Sequence, residues 1–195
     1  MCRGGSRLSP PNPIRLPAQP LIDGPTTLRP WRDRDLDRLV TLCRDPEIVR
    51  WTRVPANYSA ADGRNYLARR YDMAFAGLLA PFAIVSDGAD GELIGSISLL
   101  RFAWEHRRGE VGYWLGGAGR GAGHATRAVG LICRWGFAAL ELERIDLLAG
   151  AGNVASQRVA QHAGFTREAR LRSYLEHAEG RSDVVAFGAA GLKAR

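Results

Sequence analysis

The chain has 195 residues, 46% of them hydrophobic, which suits one domain with a substantial core. No apolar run approaches the roughly 18 residues that a membrane crossing needs. The start carries Arg3 and Arg7 and then prolines where a secretory signal has its apolar stretch, so a cytoplasmic protein is expected. The net charge of +7 comes from 27 basic residues of which only Lys193 is a lysine, a bias spread along the chain, and Arg3, Arg7 and Arg15 fall in a start without acids. The remainder is mildly basic and does not interleave aromatic with basic residues, so a nucleic-acid partner is not expected. Cys2, Cys43 and Cys133 are widely separated, without metal-ligand spacing, and read as ordinary thiols, with no metal expected.

Residues 1–24, with Pro10, Pro11, Pro13, Pro17 and Pro20, are expected to form a disordered or extended tail, and 25–195 a single domain. A first strand is expected over 26–31. Asp33 then caps a helix carrying Leu36, Leu39, Val40 and Cys43, which stops near Asp45-Pro46. A second helix runs from Ser59, as N-cap, through Tyr66, Leu67, Met73 and Phe75. Phe82 to Ser86 and Leu93 to Leu100 read as a hairpin joined by Asp87-Gly88-Ala89-Asp90-Gly91. A strand over 109–115 and a helix from Thr126 to Leu140 come next, the helix apolar over a face broad enough to lie against a sheet. A strand at 144–149, a helix at 154–163 and closing strands at 164–170 and 183–190 complete an α/β (α+β) mixed sheet.

The most informative stretch is Val111-Gly112-Tyr113-Trp114-Leu115, followed by Arg120-Gly121-Ala122-Gly123-His124-Ala125-Thr126. It reads as strand, glycine-rich loop and helix start. The first turn of a helix leaves backbone N–H groups unpaired at the positive end of the peptide dipoles, where an anion is favoured. Gly121 and Gly123 let a pyrophosphate approach the backbone, Arg120 can add a charge-assisted hydrogen bond, and Thr126 a hydroxyl. The only lysine, Lys193, is far from this loop, which excludes a nucleoside-triphosphatase P-loop, and no register gives Gly-x-Gly-x-x-Gly.

Arg-x-x-Gly-x-Ala after a Tyr-Trp-Leu strand resembles the acetyl-CoA signature of the GNAT N-acetyltransferases. Five further segments resemble their RimJ/RimL-type branch, the ribosomal-protein N-terminal acetyltransferase-like group. Leu142-Glu143-Arg144-Ile145-Asp146-Leu147, then Asn153-Val154-Ala155-Ser156, then Ala163-Gly164-Phe165 match its strand, Asn-x-x-Ser helix start and Gly-Phe strand. Leu28-Arg29-Pro30-Trp31 and Asp45-Pro46-Glu47-Ile48 match its first strand and the end of its first helix. The resemblance covers about residues 26 to 192. It implies a GNAT fold, a mostly antiparallel sheet splayed at the acetyl-CoA strand and flanked by helices.

It also implies transfer of an acetyl group from acetyl-CoA to an amine by direct attack through a tetrahedral intermediate. Backbone groups of Tyr113, Trp114 and Leu115 would hold the pantetheine, and the loop Arg120, Gly121, Ala122, Gly123, His124, Ala125 and Thr126 the pyrophosphate, with the His124 side chain facing solvent. Asn153 would hydrogen-bond the pantetheine, and Ser156 would give a proton to the departing thiolate. Read as residues alone, Asn153 is equally an N-cap and Ser156 a first-turn residue. The tyrosine that many relatives carry beyond the asparagine is missing from Arg158-Val159-Ala160-Gln161, and the glutamate some use falls at Leu148. Glu110 is therefore the expected base, its alternative being an exposed strand-end carboxylate paired with Arg107 or Arg108. The segment Ile48 to Arg53 and a loop at Ser173 to Glu176 would flank the acceptor, with Trp51 and Tyr174 in the cleft and His177 beside it. Glu176, Glu179 and Asp183 are available to draw a cationic amine. The branch further implies a possible ribosomal or other protein substrate and a possible homodimer. Two rival readings are an idle acyl-CoA sensor, suggested by the missing tyrosine and glutamate, and a basic ribosome- or nucleic-acid-binding protein, suggested by charge.

Overall fold

The computed structural model describes residues 13–177 and 180–191. Eight strands form one sheet: β1 (Leu21–Asp23), β2 (Thr26–Arg29), β3 (Leu79–Ser86), β4 (Leu93–Ala103), β5 (Arg108–Leu115), β6 (Arg144–Gly150), β7 (Thr166–His177) and β8 (Gly180–Ala190). Their spatial order is β1-β2-β3-β4-β5-β6-β8-β7, antiparallel throughout except for the parallel neighbours β5 and β6. The helices are α1 (Leu36–Cys43), α2 (Pro46–Trp51), α3 (Ala60–Phe75), α4 (His124–Ala139) and α5 (Val154–His162). This is the mixed sheet expected from the pattern of elements, and it is mostly antiparallel, as the family resemblance implies.

Two apolar cores lie on the two faces of the sheet. The larger joins Phe82, Ile97, Leu99, Val111, Ile145, Leu147 and Phe187 to Val129, Ile132 and Trp135 of α4. The smaller joins Ala83, Val85 and Leu93 to Leu39, Val40 and Cys43 of α1 and Leu67 of α3. Gly136 lets α4 lie close on β4, because a Cβ there would stand 2.7 Å from Leu99 Cδ1. Burial pushes the thiols of Cys43 and Cys133 up to about 12, which keeps them protonated and unreactive, as ordinary core thiols are.

Local chemistry sets the helix starts. Ser59 and Asp62 form a reciprocal capping box at α3 (Asp62 N–H to Ser59 Oγ 3.2 Å, Ser59 N–H to Asp62 Oδ2 2.9 Å). Asp45 caps α2 by accepting from Glu47 N–H at 2.9 Å, with Pro46 at the first helical position. The first helix thus ends at Cys43 and a separate short helix follows.

Several boundaries differ from the sequence reading. The stretch assigned to an extended tail contains the edge strand β1, and Ile14 is buried with its N–H on Ala74 O at 3.0 Å; residues 1–12 lie outside the described residues. Asp33 does not cap α1. Residues 33–35 form a 3-10 turn, and the Asp35 carboxylate turns inward to Arg29 of β2. The closing strands are longer than expected, so Ser173 to Glu176 belong to β7, not to a loop.

Arg29 and Asp35 are 2% and 5% exposed and meet in a two-pronged bond, 2.7 Å on each prong. Arg29 Nε also donates to Ala89 O at 2.8 Å, and Asp35 Oδ2 accepts from Arg32 N–H at 2.8 Å, so the pair ties β2, the start of α1 and the β3–β4 turn together. Removing one partner, Asp35→Ala, strands a buried cation and should cost about 3–5 kcal/mol in urea unfolding. The double replacement Arg29→Met with Asp35→Leu should cost clearly less. Equal losses would mean that the stranded cation is not the source of the cost.

Candidate active site

Strands β5 and β6 pair only at Arg108↔Arg144, Gly109↔Ile145 and Glu110↔Asp146. Beyond these, β5 stays with β4 as far as Leu115 and β6 stays with β8 as far as Gly150. The facing edges from Val111 and Leu147 onward therefore have no strand partner, and their backbone polar groups border a cleft of about 1740 Å³. That exceeds the roughly 300–1,000 Å³ of an ordinary ligand pocket and leaves room for two ligands side by side. The lining includes Tyr113, Trp114 and Leu115 from β5 and Leu147 to Gly150 from β6. Unpaired strand edges inside a fold suit a ligand with amide groups along its length.

The glycine loop closes one end of the cleft. Gly121 and Gly123 take φ of +82° and +79°, open to glycine at little strain, and a Cβ at Gly123 would stand 2.7 Å from Arg127 Nη1. The first backbone bond of α4 runs from Arg127 N–H to Gly123 O at 3.1 Å, so the N–H groups of His124, Ala125 and Thr126 have no helical acceptor. The expected helix start at Thr126 falls two residues late. Gly121, Gly123, His124, Ala125 and Thr126 line the cleft, whereas Ala122 is exposed and gives its carbonyl to Arg127 Nη1 at 2.8 Å.

Two side chains of this loop stand differently from expectation. His124, expected in solvent, is 7% exposed and its Nδ1 lies 2.9 Å from Thr26 Oγ1, because the first turn of α4 packs against β2. Arg120 is directed to the start of α2: its Nη2 donates to Asp45 Oδ2 at 2.8 Å and its Nε to Leu115 O at 3.1 Å. The same Asp45 oxygen accepts from Gly117 N–H at 3.1 Å. Partial burial pushes the Asp45 carboxyl up, but the Arg120 guanidinium and the Glu47 and Gly117 N–H groups outweigh it and hold it below its ordinary value.

The other wall is the start of α5. Asn153 is its N-cap, with Oδ1 accepting from Ser156 N–H at 3.0 Å. Gln157 Nε2 donates to Ala151 O at 2.9 Å and steadies the turn between β6 and α5. Across the cleft wall, the Tyr113 hydroxyl donates to Ser156 Oγ at 3.0 Å. The sequence reading gave Tyr113 only a backbone role; the alternation of Val111, Tyr113 and Leu115 was the available signal, since it puts all three on one face. Trp114 points to the opposite face, where it packs with the smaller core.

From α2, Trp51 lines the cleft, its Nε1 donating to Glu47 Oε2 at 3.0 Å and its ring close against Gly150 and Gly152. Tyr174 does not line it. Ser173 sits at φ +50° in a register shift between Leu171 and Leu175, so the strand alternation breaks; Tyr174 is 47% exposed, while Leu175 and Glu176 line the cleft. Glu110 also stands outside the lining. Both its oxygens accept from Arg101 Nη1, at 2.7 and 2.9 Å, because Leu100 opposite it places Arg101 alongside. Neither Arg107 nor Arg108 is its partner: Arg107 meets Glu141 and Glu143, and Arg108 meets Asp146. The cleft carboxylates are all in reach of arginines, Glu47 near Arg50 (3.5 Å), Glu176 near Arg181 (3.6 Å) and Asp183 on Arg170 (2.9 Å). The Ser173 N–H and Arg170 hold the Asp183 carboxyl below its usual range. Glu179 and the side chain of His177 lie outside the described residues.

Comparison with known proteins agrees with this geometry. Residues 26–166 match the family model of the acetyltransferase (GNAT) domain. The chain is 31% identical to the uncharacterized N-acetyltransferase p20 of Bacillus licheniformis, over 83% of this chain and 90% of that protein. Among solved structures, Mycobacterium smegmatis RimJ in complex with CoA-disulfide superposes with a TM-score of 0.76 at 26% identity, covering 86% of this chain and 83% of that one. RimL, a ribosomal L7/L12 alpha-N-protein acetyltransferase in complex with coenzyme A, shares the fold, with a TM-score of 0.80 at 16% identity over 88% of this chain and 98% of that one. The chain belongs to the GNAT acetyltransferase family, with RimJ/RimL-type relatives, and is an acetyl-CoA-dependent N-acetyltransferase.

Proposed function

We propose that the chain acetylates the α-amino group of a protein, peptide or small molecule, the neutral amine attacking the thioester carbonyl directly in the cleft between β5 and β6. The parting of these strands carries the reading, because it joins an anion-accepting helix start at one end to Asn153 and Ser156 at the other. The unpaired edge of β5 at Tyr113 to Leu115 receives the pantetheine amides, and the α4 N–H groups with Gly121 and Gly123 hold the pyrophosphate. Arginines outnumber carboxylates in the lining, which favours a polyanionic donor.

Ser156 is the proton donor to the departing thiolate, and Asn153 orders the turn that presents it. Glu110 takes no part in the chemistry, since Arg101 holds it outside the cleft. With the cleft carboxylates paired to arginines, the amine loses its proton to solvent. Trp51 borders the acceptor. A ribosomal protein is the leading macromolecular acceptor, supported by the likeness to RimJ and by the shared fold of RimL, a ribosomal L7/L12 alpha-N-protein acetyltransferase. A cytoplasmic location and a homodimer belong to the same reading.

Calorimetric titration with acetyl-CoA, run beside a thiol-release assay over a panel of amines, tests it. Binding with turnover supports transfer; binding without turnover on any amine points to the sensor alternative. Gly123→Asp should abolish acetyl-CoA binding, since it places a carboxylate at the helix start and a side chain on a residue at positive φ. Unchanged affinity would sink the loop assignment. Ser156→Ala should lower kcat by about 100-fold, at the lower end for loss of a general acid, while the KM for acetyl-CoA stays within about twofold. Equal activity would reduce Ser156 to a first-turn helix residue.

A further inference from the structure

We propose that Tyr113 is a positioning residue for acetyl transfer: by donating to Ser156 Oγ it leaves the serine's own proton free to be aimed into the cleft at the departing sulfur. This rests on the transfer reading above and goes beyond it, because the tyrosine comes from the strand, not from the helix after Asn153.

A serine hydroxyl has one proton and two lone pairs. Tyr113 fills one lone pair at 3.0 Å, and no protein acceptor takes the serine's proton among the described residues. Ser156 therefore keeps a donor to spare. Its oxygen is located from two directions, from α5 through the Asn153 cap on its N–H and from β5 through the Tyr113 hydroxyl. The β5 side is rigid: Tyr113 pairs with Ile97 of β4 and its ring packs against the larger core. Both hydroxyls belong to residues that line the cleft. Burial pushes the Tyr113 phenol up to about 12, so it stays neutral and able to donate over the ordinary pH range, with Ser156 pulling weakly the other way.

The step balances. When the tetrahedral intermediate collapses, the carbon–sulfur bond breaks and its electron pair goes to sulfur. Ser156 gives its hydroxyl proton to that sulfur, while Tyr113 keeps its own proton and holds the serine oxygen by its hydrogen bond. The proton shed by the acceptor nitrogen returns to Ser156 through solvent, so one proton leaves nitrogen and one reaches sulfur, with no other reactant.

The test is a double-mutant cycle of Tyr113→Phe and Ser156→Ala in the thiol-release assay, with kcat and the KM for acetyl-CoA measured separately and thermal unfolding as a control. Tyr113→Phe should lower kcat about tenfold while KM stays within about twofold. The double variant should fall no further than Ser156→Ala alone, since the tyrosine acts only through the serine. An unchanged kcat, losses that multiply, or a loss confined to KM or to unfolding temperature would each overturn the proposal and leave acetyl transfer intact. Wild-type protein that binds acetyl-CoA yet releases no thiol would overturn the transfer reading, and this inference with it.

Discussion

The separation of β5 from β6 after three residue pairs is the constraint on which the rest of this structure depends. A sheet gains from every ladder bond, and leaving buried N–H and C=O groups unmet costs about 1–3 kcal/mol each. The chain limits that cost by giving each strand a full partner on its outer side, β4 for β5 and β8 for β6. The two halves are then stable hairpin-built units joined by a short parallel seam at Arg108 to Glu110. The right-handed twist that accumulates across a sheet gives such halves a direction in which to diverge. The open edges require something polar between them, and that requirement is what makes the interior a binding site and not a packing defect.

Everything that shapes the cleft is arranged around this seam. The long helix α4 lies along the larger core, anchored by Val129 and Ile132 and by the close approach at Gly136, so its N-terminus is delivered to the cleft mouth. His124 extends the anchoring to β2 through Thr26, which fixes the first turn where the unpaired N–H groups lie. On the opposite face, Arg29 and Asp35 hold the beginning of α1, and α1 leads directly to Asp45. Asp45 caps α2 with one oxygen and holds Gly117 and Arg120 with the other. One carboxylate thus joins α2 to the loop that follows β5.

Elements governed by local chemistry were legible in the sequence. The strand expected over 109–115 is Arg108–Leu115, the N-cap expected at Ser59 starts α3, and Asn153 starts α5. What escaped depends on distant partners or on breaks in period. Leu21–Asp23 sits among prolines and reads as tail, yet as an edge strand it needs a partner on one side only, and β2 supplies it. His124 turns inward because of Thr26, 98 residues away in sequence. For Glu110, strand alternation identifies a face but not which end of the strand borders the cleft, and the seam puts it at the closed end. Tyr174 follows a register shift that no alternating pattern predicts. Tyr113 is the opposite case: its face was readable, but that Ser156 would lie opposite it depends on how β6 and α5 are placed.

Arg120 shows how magnitudes settle an apparent conflict. The motif assigns it to the pyrophosphate, while the structure gives it to Asp45. The guanidinium is 39% exposed, and an ion pair so open to water contributes only about 0.2–1 kcal/mol. On the function proposed above, a pyrophosphate at the same loop would meet the positive end of α4 and unpaired N–H groups as well as any guanidinium, and contacts with an ionised acceptor are worth about 1.5–3 kcal/mol each. The Asp45 bond is therefore too weak to keep the anion out. Because the guanidinium is a rigid plane, its Nε bond to Leu115 O and its Nη2 bond to Asp45 are made together, and changing partners moves the whole group.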